Sequence, residues 1–115
     1  MKKIMYCIVL VFITCASTWA QPAITPGAER VDVYLPYLKG KAVAVFANQT
    51  SMVKNTHLVD TLISSGINVV KIFGPEHGFR GDADAGEHVG DEKDKKTGIP
   101  VVSLYGNHKK PTAED

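Results

Sequence analysis

Thiols are scarce in this sequence and absent from most of it. Its 115 residues hold two cysteines, Cys7 and Cys15, and one tryptophan, Trp19, all within the first twenty positions. Beyond residue 20 no disulfide and no cysteine-based metal site can form. A long hydrophobic run is also missing. The apolar stretch from Ile4 to about Ala16 is about 13 residues, short of the roughly 20 needed to span a bilayer. Charge of one sign is missing too. The formal net charge is +1, and no basic patch with interleaved aromatics occurs, so nucleic acid is not an expected partner. The hydrophobic fraction of 44% is that of an ordinary globular chain of one small domain.

The opening twenty residues have a layout of their own. Lys2 and Lys3 precede the apolar run, and small residues lead to Thr18-Trp19-Ala20 before Gln21. This is the three-part pattern of a secretory signal peptide, so residues 1–20 are read as one. An anchor that stays in place and a lipid-bearing Cys15 are the alternatives. Phe12-Ile13-Thr14, before that cysteine, lack the small residues a lipoprotein cleavage site favours. Without Lys2 and Lys3, Lys+Arg falls from 13 to 11 against 12 Asp+Glu, a net charge of −1. The expected location is periplasmic or extracellular, with no transmembrane segment left after signal removal.

Residues 21–26 read as an extended leader. Val31, Tyr34, Leu35 and Leu38 then follow i, i+3, i+4, i+7 spacing, one face of a helix. Pro36 predicts an end to that helix near Tyr34. Residues 42–47, Ala-Val-Ala-Val-Phe-Ala, predict a strand buried on both faces, as in a parallel sheet. Asn55 or Thr56 is placed to cap a helix running to about Ser65, with Leu58, Val59, Leu62 and Ile63 as its stripe and Gly66 as its stop. Residues 67–73 and 100–105 read as second and third strands. Strand, helix, strand at this spacing is a βαβ unit with a right-handed crossover. The fold class is therefore α/β, a Rossmann-like parallel sheet. The last strand is followed by no helix and its edge looks unprotected, so the chain reads as part of a larger protein. The charge-balanced run at residues 91–96 reads as a solvated loop.

Residues 74–99 form a long connection without periodicity, leaving the C-terminal end of the second strand. Loops of this length are usually functional or disordered, and ligands of open α/β sheets bind at that edge. Asn48-Gln49-Thr50-Ser51 leaves the first strand at the same edge, so the two segments are expected to face one pocket. The loop opens Gly-Pro-Glu-His-Gly-Phe-Arg-Gly-Asp-Ala-Asp-Ala-Gly-Glu-His. Glu76, His77, Arg80, Asp82, Asp84, Glu87 and His88 supply every side-chain type needed for proton transfer. On composition alone, a glycine-rich surface loop with solvated charges is the simpler reading. No Gly-x-Gly-x-x-Gly, P-loop, His-Glu-x-x-His or Gly-x-Ser-x-Gly is present. The spacing of His77, Asp82, Asp84 and His88 matches no standard metal-ligand set. No cofactor or metal is expected.

Phe73-Gly74-Pro75-Glu76-His77-Gly78-Phe79-Arg80-Gly81-Asp82, followed by Ala85-Gly86-Glu87, resembles a bacterial family of exo-β-N-acetylmuramidases. Lys39-Gly40-Lys41, Asn48-Gln49-Thr50, Thr97-Gly98-Ile99-Pro100, Ser103-Leu104-Tyr105-Gly106 and Lys110-Pro111-Thr112 add to the likeness, which covers residues 27–115. The resemblance implies a Rossmann-like catalytic domain, of which this would be the N-terminal part. It also implies a smaller second domain absent from this chain. The implied reaction releases terminal N-acetylmuramic acid from the non-reducing end of peptidoglycan fragments.

Glycoside hydrolysis uses two carboxyl groups beside the scissile bond. Glu76 is the first candidate, as general acid, with capping of local amides as its alternative. His77 is placed to orient it or to bind a sugar hydroxyl, with a packed structural histidine as its alternative. Asp82, Asp84 and Glu87 are candidates for the second carboxyl, with a residue of the parent protein beyond this chain as the alternative. Arg80 is the candidate reader of the lactyl carboxylate, with a local ion pair to Asp82 or Asp84 as its alternative. Asn48 and Gln49 are candidates for binding the N-acetyl group or ring hydroxyls, with end-of-strand capping as theirs. His57 is placed on the second helix as a structural residue. Two other functions compete: a non-catalytic module that binds muropeptides, and a metal-dependent cell-wall hydrolase. The signal-peptide reading predicts a processed chain beginning at Gln21. N-terminal sequencing of exported protein checks this, and retention of Met1 in the exported form contradicts it.

Overall fold

The computed structural model describes residues 23–75, 77–81, 84, 90, 92–106 and 108–115. The expected signal peptide lies outside the described residues, as do Glu76, Asp82, Glu87 and His88. A 3-10 turn, Gly27–Glu29, leads into helix α1, Val31–Leu38. Strand β1 is Ala42–Phe46, and a short hairpin follows, β2 Met52–Val53 and β3 Thr56–His57. Helix α2 is Leu58–Ser64 and β4 is Asn68–Gly74. Strands β5, Glu92–Lys93, and β6, Pro100–Ser103, complete the order. No helix among the described residues is long and apolar enough to cross a membrane.

The main sheet runs β1-β4-β6-β5. The first three strands are parallel, joined β1 to β4 and β4 to β6. The α/β expectation holds, with one strand of opposite sense. β5 comes from the long loop and pairs antiparallel with β6, Glu92 opposite Val101 and Lys93 opposite Pro100. The edge of β6 that looked unprotected in the sequence is covered by that pairing. A two-residue strand suffices because it masks the ladder without offering a long template of its own.

The core lies between the sheet and the two helices. Val45, Val69, Ile72 and Val101 from the sheet meet Val59 and Leu62 from α2, with Tyr34, Leu35 and Leu38 of α1 packed against them. α1 runs through Pro36 rather than ending before it. The proline removes one helical hydrogen bond, but Leu35 and Leu38 stay on the buried side, and the Lys39 amide still donates to the Leu35 carbonyl at 3.2 Å. Packing of the apolar face outweighs the local propensity.

Two further expectations are corrected. β1 is covered on one face, not two: Val45 is buried whereas Ala42, Ala44 and Phe46 are exposed, Phe46 by 64%. A register shift between Val43 and Ala44 leaves Val70 as the extra residue of β4, so Val69 and Ile72 both face inward. The second helix is capped by neither Asn55 nor Thr56. Those residues belong to the small hairpin, and His57 is the cap, its Nδ1 accepting from the Val59 amide at 3.3 Å.

Ile72 is fully buried at the centre of this layer. Ile72→Ala is expected to lower the unfolding free energy by about 3 kcal/mol, the usual cost of a cavity at a closed site. Urea denaturation checks this, and a loss under about 1 kcal/mol would mean the core is not built as described.

Candidate active site

Parallel strands that end together bring their following loops together. Phe46 is level with Phe73, and Gly74 with Ser103. The ladder continues one step beyond, through Ala47 N–H to the Phe73 carbonyl at 3.0 Å and Leu104 N–H to the Gly74 carbonyl at 2.8 Å. The segments starting at Asn48, Pro75 and Leu104 therefore leave one edge of the sheet, the edge where such folds bind ligands.

The first segment is a closed turn. The Asn48 side-chain oxygen accepts from the Thr50 amide at 3.1 Å, the Thr50 hydroxyl at 2.8 Å and the Ser51 hydroxyl at 3.3 Å. Its carbonyl accepts from His57 Nε2 at 2.8 Å. One neutral tautomer of His57, protonated on Nε2, satisfies this bond and the helix cap together. The His57 ring also meets the Phe79 ring edge-on, with centroids 4.6 Å apart at 85°. His57 thus ties the β1 turn, the start of α2 and the long loop to one another, a structural role from a cap position.

The second segment folds back sharply after β4. The Pro75 carbonyl accepts from the His77 amide at 3.0 Å and the Gly78 amide at 3.2 Å. His77 holds φ = 149°, a conformation that side-chain-bearing residues rarely adopt. The chain then returns over the strand end. A Cβ on Gly74 would sit 3.3 Å from the Phe79 amide nitrogen, so the absence of a side chain permits the approach. Gly81, at φ = +77°, lies against the Gln49 side chain, where a Cβ would come within 2.9 Å of the Gln49 Cβ. The Asn48–Gln49 turn and the long loop do face each other, as the sequence suggested. Glu76, Asp82 and Glu87 lie outside the described residues, and Asp84 is exposed.

Arg80 has two carboxylate partners that the sequence did not indicate. Its Nε and Nη2 donate to Asp94 at 2.8 and 2.9 Å, a two-pronged pairing. Nη2 and Nη1 reach Asp60 of α2 at 3.0 and 3.3 Å. The guanidinium also lies over the Phe79 ring, 4.6 Å from its centre. Four of its five N–H donors serve Asp60 and Asp94, which leaves no fork for a substrate carboxylate in this arrangement. The run at 91–96 is correspondingly not a simple solvated loop. Asp94 is 5% exposed, and its Oδ2 accepts in addition from the Thr97 amide at 3.0 Å and the Thr97 hydroxyl at 2.6 Å. Lys96 reaches Asp60 at 2.7 Å from a mostly exposed position and adds little.

These contacts fix the charges. Hydrogen bonding to Arg80 holds the Asp94 carboxyl well below its ordinary 3.8, against the upward pull of burial. Burial pulls the Asp60 carboxyl upward as well, but Arg80 and Lys96 together hold it below 3.8. Both acids bind a proton less readily folded than unfolded. The stability they supply is complete above their unfolded value and drains as pH falls through the depressed folded values.

Residues 43–115 match a family model described as Exo-beta-N-acetylmuramidase NamZ, N-terminal. A Bacillus subtilis (strain 168) protein, peptidoglycan beta-N-acetylmuramidase NamZ, is 48% identical over 92 residues, 73% of this chain and 22% of that protein. Two DUF1343 family proteins of known structure from Bacteroides fragilis NCTC 9343 are also similar. One has a TM-score of 0.67 at 37% identity over 81% of this chain and 24% of its own. The other has 0.56 at 49% identity over 68% of this chain and 20% of its own. The chain thus spans about a quarter or less of the length of each of these relatives.

Removing the Asp94 carboxylate takes away the two-pronged partner of a partly buried arginine and leaves it only Asp60. Asp94→Asn is expected to destabilise the fold by about 2–3 kcal/mol at pH 7, below the range for fully buried pairs because Arg80 is partly exposed. It should also flatten the loss of stability between about pH 5 and pH 2. Urea denaturation at pH 7 and pH 3 checks both, and an unchanged slope with pH contradicts the charge assignment. The architecture, the loops gathered at the sheet edge and the matched sequence lead to one assignment: the chain belongs to the NamZ exo-β-N-acetylmuramidase family, and residues 43–115 correspond to its N-terminal part.

Proposed function

We propose that this chain carries part of the active site of an exported peptidoglycan hydrolase. That enzyme would release terminal N-acetylmuramic acid from the non-reducing end of cell-wall fragments. The observation that carries the reading is the strained turn at His77, set at the C-terminal edge of the sheet in a chain 48% identical to a peptidoglycan β-N-acetylmuramidase. Backbone strain in a packed loop persists where the surroundings impose it, and such positions gather at active sites.

In this reading Glu76 is the general acid that protonates the leaving glycosidic oxygen. His77 holds that carboxyl or a ring hydroxyl in register, and one of Asp82, Asp84 and Glu87 is the local candidate for the second carboxyl. Gln49, exposed and lying against Gly81, is the better placed of the two amides to meet the N-acetyl group. The Asn48 oxygen is occupied by its own turn. Arg80 serves the loop rather than the lactyl carboxylate. The partners are peptidoglycan fragments, and the chemistry on this chain's own residues calls for proton transfer alone.

A chromogenic N-acetylmuramic acid glycoside tests this, using the complete product of the reading frame that contains this chain, with and without chelator. Turnover that survives chelation and falls at least ~100-fold in Glu76→Gln is expected, the scale of a lost general acid. Loss of turnover with chelator would favour a metal-dependent hydrolase. Saturable binding without turnover would favour a muropeptide-binding module.

A further inference from the structure

The side chain that the sequence offered as a substrate contact is committed elsewhere, and its commitment has a shape. Arg80 stands three residues after His77. Its partners come from two different places: Asp60 in the first turn of α2, and Asp94 at the start of the β5–β6 turn. Asp94 is itself held by Thr97 and by backbone bonds, its amide donating to the Ile99 carbonyl at 2.9 Å and its carbonyl accepting from the Gly98 amide at 2.7 Å. The loop between Arg80 and Asp94 is thereby closed at its neck and fastened to a helix of the core.

The segment that runs into that fastening needs it. His77 at φ = 149° is held in a backbone conformation that side-chain-bearing residues disfavour. Two anchors flank it. Upstream, β4 delivers Pro75 from the sheet. Downstream, Phe79 is 2% exposed against the His57 ring, and Arg80 is pinned by two carboxylates. Phe79 alone fixes a position, whereas a planar guanidinium bound on two edges also fixes an orientation.

We infer that Asp60, Arg80 and Asp94 form a positioning clasp, in which two acids outside the loop's opening hold the His77–Phe79 segment in its strained, working geometry. The role of that turn rests on the glycosidase reading given above, but the mechanical claim does not. Arg80→Lys keeps the charge and loses the fork. Asp60→Asn removes one arm and leaves the Asp94 pair, which gives a milder variant should the first fold poorly.

Two measurements on the complete protein test the clasp. The first is hydrogen exchange at the amides of residues 77–81, compared with those of residues 69–73 in β4. In both variants the turn is expected to exchange at least ~10-fold faster while β4 is unchanged, because only the local opening is made easier. Equal acceleration of both segments, or of neither, would overturn the inference. The second is kinetics on the muramic acid glycoside at a temperature where wild type and variants are equally folded. A kcat lower by ~10- to 100-fold with KM within about twofold is expected from misplacement of a catalytic group. A raised KM with unchanged kcat would return Arg80 to the role of substrate ligand and overturn the clasp. An inactive wild type would sink the glycosidase reading alone, since the exchange comparison still decides the mechanical claim.

Discussion

The pairing of Arg80 with Asp94 is the interaction on which the arrangement at the sheet edge depends. Strand β4 ends at Gly74 and its parallel neighbour β6 begins at Pro100, so the intervening chain must leave the sheet and return. Such a connection is costly to order because every residue in it loses backbone freedom. A two-pronged bond between its opening and its closing turn shortens the free loop. It also converts the residues before Arg80 into a segment held at both ends. Asp60 joins this neck to α2, whose Val59 and Leu62 are buried in the core. The rigid layer of the fold is thereby connected to the turn at His77 through charge as well as through Phe79.

Glycine at 74 and 81 serves the same end by a different means. One lets the returning chain lie on the strand end, and the other lets Gln49 lie on the loop. His57 completes the connection, since its two ring nitrogens serve the β1 turn and the α2 cap while its ring packs perpendicular to that of Phe79. The turn after β1, the start of α2 and the opening of the long loop are consequently one packed unit with a common set of anchors.

Much of this was legible in the sequence, and the parts that were not share a cause. The strands at 42–47 and 67–73 declared themselves as β-branched and apolar runs, and the meeting of the Asn48 turn with the long loop followed from their leaving one sheet edge. What pattern reading weighs wrongly is a residue whose partner is distant in the chain. Asp94 sits in a balanced charge run and looks solvated, yet Asp94-x-x-Thr97-Gly98 is also a turn signature in which the aspartate is held. Asp60 looks like an ordinary acid in a helix's first turn, where the helix dipole already favours it. Arg80 looks like an anion-binding fork, and it is one, with its anions supplied by the protein. Local signals also missed the β2–β3 hairpin, because two-residue strands carry no periodicity, and they stopped α1 near Tyr34, ahead of Pro36, where packing carries it on to Leu38.

The central claim is that the loop's arginine holds the turn and the turn presents the acid. A crystal structure of the complete protein with an N-acetylmuramic acid glycoside bound tests it most directly. The account predicts the Glu76 carboxyl within about 2.6–3.2 Å of the glycosidic oxygen, with Arg80 still on Asp60 and Asp94. An Arg80 turned away from both acids onto the lactyl carboxylate, or a Glu76 directed into bulk water, would contradict it.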